Sequence, residues 1–188
     1  ADIIITNKVL VTKEIMNKAS NLKLMCISAT GTNNVDLEYA KQKNISVKNV
    51  AGYSSSSVVQ LAFSMIFHIV QKLDYYKKYV DVGNWQKSQI FTHIDKPFFE
   101  LDGKKVGIIG LGDIGRNFAK KARAFDCEVM YFSTSGKNSN SEYKQVSLDE
   151  LLSTCDIISI HCPLNENTKD LLNYENMKNI KDGAILLN

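Results

Sequence analysis

Gly110, Gly112 and Gly115 lie between the apolar run Val106 to Ile109 and an amphipathic run from Ile114 to Phe125. Glycines at this spacing, where a strand turns into a helix, can cradle phosphate. Gly110 permits the tight turn, Gly112 lets backbone approach an anion, and Gly115 lets the helix pack close to the strand. The free amides at Asp113 and Ile114, with the positive end of the helix dipole, then attract negative charge. With 10 glycines in 188 residues, about 0.03 such triplets are expected by chance. The pattern points to a dinucleotide; an adenosyl ligand without pyrophosphate is the alternative. An NAD-type site asks for an acidic residue at the end of the second strand, about 20 positions further on. Ser133, Thr134 and Ser135 stand there instead, with Lys137 near in sequence. A carboxylate would repel the extra phosphate of NADP, so its absence leaves NAD and NADP both open. The plainer reading of Lys137 is a solvated loop lysine.

Other reactive side chains carry less. Cys26, Cys127, Cys155 and Cys162 form no CxxC pair and sit in or beside apolar runs, as reduced, buried thiols do. No metal site is expected. Together with an amino end that shows no basic-then-apolar leader, the thiols favour the cytoplasm. His161 ends an apolar run, His68 lies inside one, and His93 falls in an aromatic segment; all three read as packing or solvated residues rather than acid catalysts.

The elements that must hold the glycine loop follow from composition and patterning. At 44% hydrophobic and 23% charged residues, the chain can close a core. A net charge of +3 without a basic run argues against nucleic acid. The longest apolar stretch, Val58 to Val70, is interrupted by Gln60, Ser64 and His68 and falls short of the roughly 20 residues a bilayer needs. Short β-type runs alternate with helical periodicity, which predicts a parallel α/β architecture, a Rossmann-type doubly wound sheet around the glycine loop. The strands are expected at Leu24 to Ala29, Ile45 to Val47, Val106 to Ile109, Glu128 to Phe132, Ile157 to His161 and Ala184 to Asn188. Between the first two, Asn34 or a neighbour is expected to cap a helix through Leu37 and Ala40. Val58, Leu61, Ala62, Met65, Ile66, Ile69 and Leu73 recur at three and four and predict one face of a long helix. Further helices are expected at Ile114 to Phe125, at Leu148 to Ser153 behind a Ser147/Glu150 capping box, and at Tyr174 to Asn179. Ser133 to Gln145 reads as a surface loop. Tyr75 to Phe99 is aromatic without periodicity, and is either an arm packed on its own domain or a subunit interface.

Several blocks together resemble the D-2-hydroxyacid dehydrogenase family, within it the glycerate dehydrogenase and hydroxypyruvate reductase group. They are Ala29 to Leu37, Asn49 to Ser54 leading to Gln60, Gly83-Asn84-Trp85, Leu101 to Gly112, His161 to Leu164 with Thr168, and Lys181 to Asn188. In order, they span nearly the whole chain. The resemblance implies part of a flavodoxin-like substrate domain at residues 1–52 and an NAD(P)-binding domain with a joining helix at 53–188, the chain being an internal portion of a longer protein. It implies hydride transfer between NAD, the family's usual choice, or NADP and C2 of a small 2-keto or 2-hydroxy acid. Thr30, Gly31, Tyr53 and Ser54 would meet the substrate. Gly110, Gly112, Asp113, Ile114, Gly115, Ser133, Thr134, Val58, Cys162, Pro163 and Thr168 would meet the cofactor. The family's catalytic Arg, Glu and His would fall beyond Asn188. A homodimer is implied, and a corepressor-like branch of the family makes a non-catalytic, dinucleotide-sensing regulator the alternative. Two departures stand out: Gln60 where many members have Glu, and Val59 in place of a small alanine, which is expected to reshape the pocket wall.

Overall fold

In the computed structural model, which describes residues 1–136 and 141–188, the chain forms two compact units, Ala1–Ser54 and Ser55–Asn188. The first unit runs β1 (Ile3–Thr6), α1 (Lys13–Lys18), β2 (Leu24–Ile27), α2 (Leu37–Gln42) and β3 (Ser46–Asn49). Its three strands lie parallel in the order β1-β2-β3, with Leu24 opposite both Ile3 and Ser46. Met16, Leu22, Met25, Ile27 and Ala40 form its core. The cap of α2 is Asp36, whose carboxylate accepts the Tyr39 amide at 2.9 Å, and not Asn34. Asn34 is used elsewhere: its side-chain amide donates to the carbonyls of Asn7 and Val9, tying down the loop after β1. Neither β1 nor α1 was legible in the sequence. β1 keeps Ile3 and Ile5 exposed, and α1 buries only Met16, so neither shows a periodic pattern.

The second unit opens with α3 (Ser55–Val70), α4 (Leu73–Asp81) and α5 (Asn84–Lys87). It continues with β4 (Lys105–Ile109), α6 (Asp113–Arg123), β5 (Glu128–Phe132), β6 (Lys144–Gln145), α7 (Leu148–Thr154), β7 (Ile157–Ile160), α8 (Tyr174–Met177) and β8 (Ile185–Leu187). All five strands are parallel, in the order β6-β5-β4-β7-β8. This matches the first five positions of the 3-2-1-4-5-6 order of dinucleotide-binding sheets. Both faces are buried, as a parallel sheet requires. Val106, Ile108, Val129, Tyr131 and Ile157 pack with α3 and α6, whereas Ile109, Met130 and Ile158 pack with α7.

Five expectations need correction here. The buried stripe of α3 is Val59, Ala62, Phe63, Ile66 and Val70, while Val58, Leu61, Met65 and Ile69 of the expected face are exposed. This helix is apolar on most of its surface, so spacing alone fits two stripes; the buried one holds Phe63, which stacks on Phe118 of α6 at 4.8 Å. Val59 is fully buried in that core and forms no pocket wall. The helix also stops at Val70: Lys72 is left-handed (φ 51°), and α4 departs at 64° with Leu73 in it. The expected loop contains β6, where Lys144 and Gln145 pair beside Met130 and Tyr131. Finally, the Ser147 hydroxyl accepts the Glu150 amide at 3.1 Å, but the Glu150 carboxylate is drawn to Lys144 at 2.7 Å and does not complete a box.

The aromatic segment is partly helical after all, and it folds on itself. His93 stacks on Tyr79 at 3.6 Å, its Nε2 lies 2.9 Å from the Tyr75 hydroxyl, and the Tyr76 hydroxyl donates to the Lys96 carbonyl at 2.9 Å. No single helix among the described residues is long and apolar enough to cross a membrane.

Candidate nucleotide site

The glycine loop leaves β4 at its carboxyl end, and each glycine there has a separate duty. Gly110 is left-handed at φ 93°, donates its amide to the Phe132 carbonyl at 3.0 Å, and lies so near β7 that a Cβ would sit 2.8 Å from the Cys162 nitrogen. At Gly115 a Cβ would lie 2.2 Å from the Gly110 carbonyl oxygen, so only hydrogen fits where α6 crosses its own loop. Gly112 is the opposite case. It is the N-cap of α6, and a Cβ there would meet no atom of the described residues within 4 Å. Beside that open space, the amides of Asp113, Ile114 and Gly115 find no acceptor among the described residues; the first helical bond is from Arg116 to Gly112. Unused amides, a helix amino end and a side bare of atoms fit a pyrophosphate.

The end of β5 stands next to this loop, because Ile109 and Phe132 are in register. Ser133 is buried, and its hydroxyl has no hydrogen-bond partner among the described residues. Thr134 is half-buried, and Gly136 at φ 66° turns the chain away. Lys137 lies outside the described residues.

The third wall is the end of β7. The His161 amide donates to the Ile109 carbonyl at 2.8 Å, carrying Cys162 and Pro163 past Gly110. The Thr168 hydroxyl donates to the Pro163 carbonyl at 2.5 Å and accepts the Asn165 amide at 2.8 Å, which fixes the turn. Cys162, Pro163 and Thr168 line one cavity of about 400 Å³ with Ile109, Ile160 and Leu171. Those last three escaped the sequence reading, since they read as plain core residues. Burial lowers the His161 pKa to about 4, so its ring is neutral; it sits 2.9 Å from the Ser159 hydroxyl and packs on Phe118. Burial also pushes the Cys162 thiol up. Cys127 and Cys155 are buried, their thiols raised to about 11, while Cys26 and Cys162 are only half-buried, short of the burial expected for all four.

The loops thus converge on the gap between β4 and β7, beyond the strands' carboxyl ends, where open α/β sheets bind ligands. Val58 is on the first turn of α3, partly exposed. In the other unit, Thr30 and Gly31 form an exposed loop after β2, and their amides have no acceptor among the described residues. Asn49 holds that loop by donating to the Thr30 carbonyl at 2.6 Å. Ser54 is half-buried, and Tyr53 is 62% exposed.

This arrangement defines a dinucleotide-binding domain, and comparison with known proteins agrees. Residues 63–188 match the family model described as "D-isomer specific 2-hydroxyacid dehydrogenase, NAD binding domain". The chain belongs to that family, and its cofactor is NAD or NADP. It is 39% identical over 192 aligned residues to a hydroxypyruvate reductase of Blautia hydrogenotrophica, covering all of this chain and 59% of that protein. Among solved structures it is similar to an acyclic imino acid reductase in complex with NADPH and D-Arg, with 31% identity and a TM-score of 0.88 over 99% of this chain and 59% of that one. The D-lactate dehydrogenase from Aquifex aeolicus, complexed with NAD and lactic acid, shares 30% identity and a TM-score of 0.86, with 99% of this chain and 55% of that one covered. The chain therefore spans rather more than half the length of these relatives.

Proposed function

We propose that the whole protein is an NAD(P)-dependent oxidoreductase acting on a small 2-keto or 2-hydroxy acid of the hydroxypyruvate, glycerate or glyoxylate type. The observation that carries this reading is the set of unused amides opening α6 beside the open flank of Gly112. When bound, the nicotinamide supplies a hydride to C2 of the keto acid or takes one from the hydroxy acid. Within this chain, the amides of Asp113, Ile114 and Gly115 hold the pyrophosphate, charge against charge with the positive end of α6. Ser133 and Thr134 serve the adenosine ribose; Cys162, Pro163 and Thr168 wall the nucleotide, and Val58 serves the nicotinamide side. The free amides of Thr30 and Gly31 are suited to a substrate carboxylate, with Tyr53 and Ser54 as further substrate contacts. The proton donor is not His161, whose half-buried, neutral ring has no proton to give as an imidazolium near pH 7. The Arg that clamps the acid, and the His and Glu that deliver its proton, belong in this proposal to sequence after Asn188. The likeness to a hydroxypyruvate reductase supports the substrate class.

The test is oxidation of NADH or NADPH by the full-length protein with hydroxypyruvate or glyoxylate, followed by loss of reduced-nicotinamide absorbance. Turnover is expected. Tight nucleotide binding with no turnover of any 2-keto acid would instead favour a non-catalytic, dinucleotide-sensing regulator. A homodimer belongs to the same proposal, supported by the aromatic segment, where Phe91 is 93% exposed and Ile90, Ile94 and Trp85 are exposed beside it. Sedimentation as a monomer at micromolar concentration would count against it.

A further inference from the structure

The three parallel strands of the first unit send their loops out at one end, the end where open α/β sheets take ligands. Across those loops, residues 7–12, 28–35 and 50–54, Lys8 is the only charged side chain. It is exposed, and no carboxylate among the described residues pairs with it, whereas Lys13 and Lys23 of the same unit pair with Asp36 at 3.7 Å and Asp2 at 3.5 Å. An unpaired ammonium on an otherwise uncharged rim attracts an anion.

One residue fixes where Lys8 stands. Asn34, in the loop after β2, donates its side-chain amide to the carbonyls on either side of Lys8, Asn7 at 3.3 Å and Val9 at 2.9 Å. The Asn34 carbonyl accepts the Val11 amide at 2.8 Å, and Val11 bridges Val35. The chain from Asn7 to Val11 is thus wrapped around a single asparagine, with Lys8 between the two carbonyls that accept from it. The same β2 loop carries the free amides of Thr30 and Gly31. It is held from its other side by Asn49 on the Thr30 carbonyl and by the Val50 amide on the Ala29 carbonyl at 3.1 Å. Ser28 completes the join, its amide and hydroxyl both donating to the Thr6 carbonyl, at 2.8 Å and 3.2 Å. Ammonium and amides therefore belong to one hydrogen-bonded frame.

We propose that Lys8 is a substrate-binding cation, whose charge draws the acid's carboxylate to the amides of Thr30 and Gly31, and that Asn34 is the residue that positions it. The inference rests on the substrate reading of those two amides. Neutral amides orient a carboxylate at contact; a full positive charge beside them acts over a longer range and weakens with salt. The carboxylate stays charged from substrate to product, so the attraction is uniform along the reaction, and its loss appears in KM rather than kcat.

The test is steady-state reduction of hydroxypyruvate or glyoxylate by the full-length protein and its variants. Lys8→Gln should raise KM about five- to tenfold and flatten its dependence on salt, with kcat changed by no more than about twofold. Lys8→Arg, which keeps the charge, should recover most of the loss. Asn34→Ala should raise KM by a similar factor, and the double variant Lys8→Gln/Asn34→Ala should be little worse than either alone, since both changes remove the same charge from the same place. An unchanged KM and salt dependence in Lys8→Gln overturns the role of Lys8 while the oxidoreductase reading stands. Effects that multiply in the double variant overturn the positioning role of Asn34. Lys8 is exposed, so Lys8→Gln keeps the fold and decides the matter even where Asn34→Ala loosens the loop. Absence of turnover in the unsubstituted protein refutes the substrate reading and this inference with it.

Discussion

The loop from Gly110 to Gly115 and the segment from Tyr75 to Phe99 are both crowded with special residues, yet one was plain in the sequence and the other was not. In the glycine loop the constraint is on the backbone. A left-handed φ at Gly110 and a Cβ at Gly115 that would strike the Gly110 carbonyl are local requirements, met by one residue type at a fixed spacing. In the aromatic segment the constraint lies between side chains far apart in sequence, Tyr75 and Tyr79 on α4 and His93 in the irregular stretch after α5. No spacing rule joins them. Backbone sterics write themselves into sequence, whereas partner choice among aromatic rings does not.

The largest effect is expected at Gly115→Ala, where the added methyl has only backbone to push against; overpacking of this kind costs about 1–3 kcal/mol or more, and nucleotide binding should fall with it. A thermal melt with a parallel titration measures both, and an unchanged melting temperature would break the claim that Gly115 is a packing glycine. Next in size is an acid effect at the β7 exit. The His161 pKa is about 4 in the folded protein against about 6.5 in an unfolded chain, so the unfolded chain takes up the proton first. The contribution is whole above the unfolded value and is lost as pH falls from about 6.5 towards 4, by up to about 3 kcal/mol. Denaturant melts of the protein and of His161→Gln across that window should converge as the pH drops. Parallel curves would show that His161 is not held neutral.

His93→Ala should cost about 1–2 kcal/mol, from the ring stack on Tyr79 and the bond to Tyr75. It should leave the nucleotide dissociation constant unchanged; a loss of nucleotide binding would join two regions that the present contrast separates. The smallest effect on stability is expected at Gly112→Ala. No atom of the described residues would lie within 4 Å of a Cβ added there, so stability should change by no more than about 0.5–1 kcal/mol, the helix-end cost of losing glycine. Nucleotide affinity should nevertheless fall severalfold. Equal effects on folding and binding would erase the distinction between a glycine kept for packing and one kept for a ligand.

Much of the second unit was legible for the same reason as the glycine loop. β4, β5 and β7 are short apolar runs buried on both faces, and α6 follows a glycine turn, so each declares itself within a few residues. The long helix was legible as a helix but not as a surface. Val58, Leu61, Met65 and Ile69 satisfy helical spacing as well as Val59, Phe63, Ile66 and Val70 do, and only the position of Phe118 on α6 decides which stripe is covered. Its end at Val70 was hidden as well, because a lysine, not a glycine or proline, takes the left-handed break. β6 was hidden because two polar residues become a strand only when Met130 and Tyr131 offer them an edge.

The parallel α/β class, the phosphate loop and the missing acid at the end of β5 can all be read from the order of residues, since each depends on residue type at a fixed local spacing. The strand order, the convergence of Gly110 with Cys162, the neutral state of His161 and the burial of Ser133 came only with the tertiary fold. These depend on which distant segments come to rest against one another, and burial, with the pKa shifts and unmet hydrogen bonds it creates, exists only after they have done so.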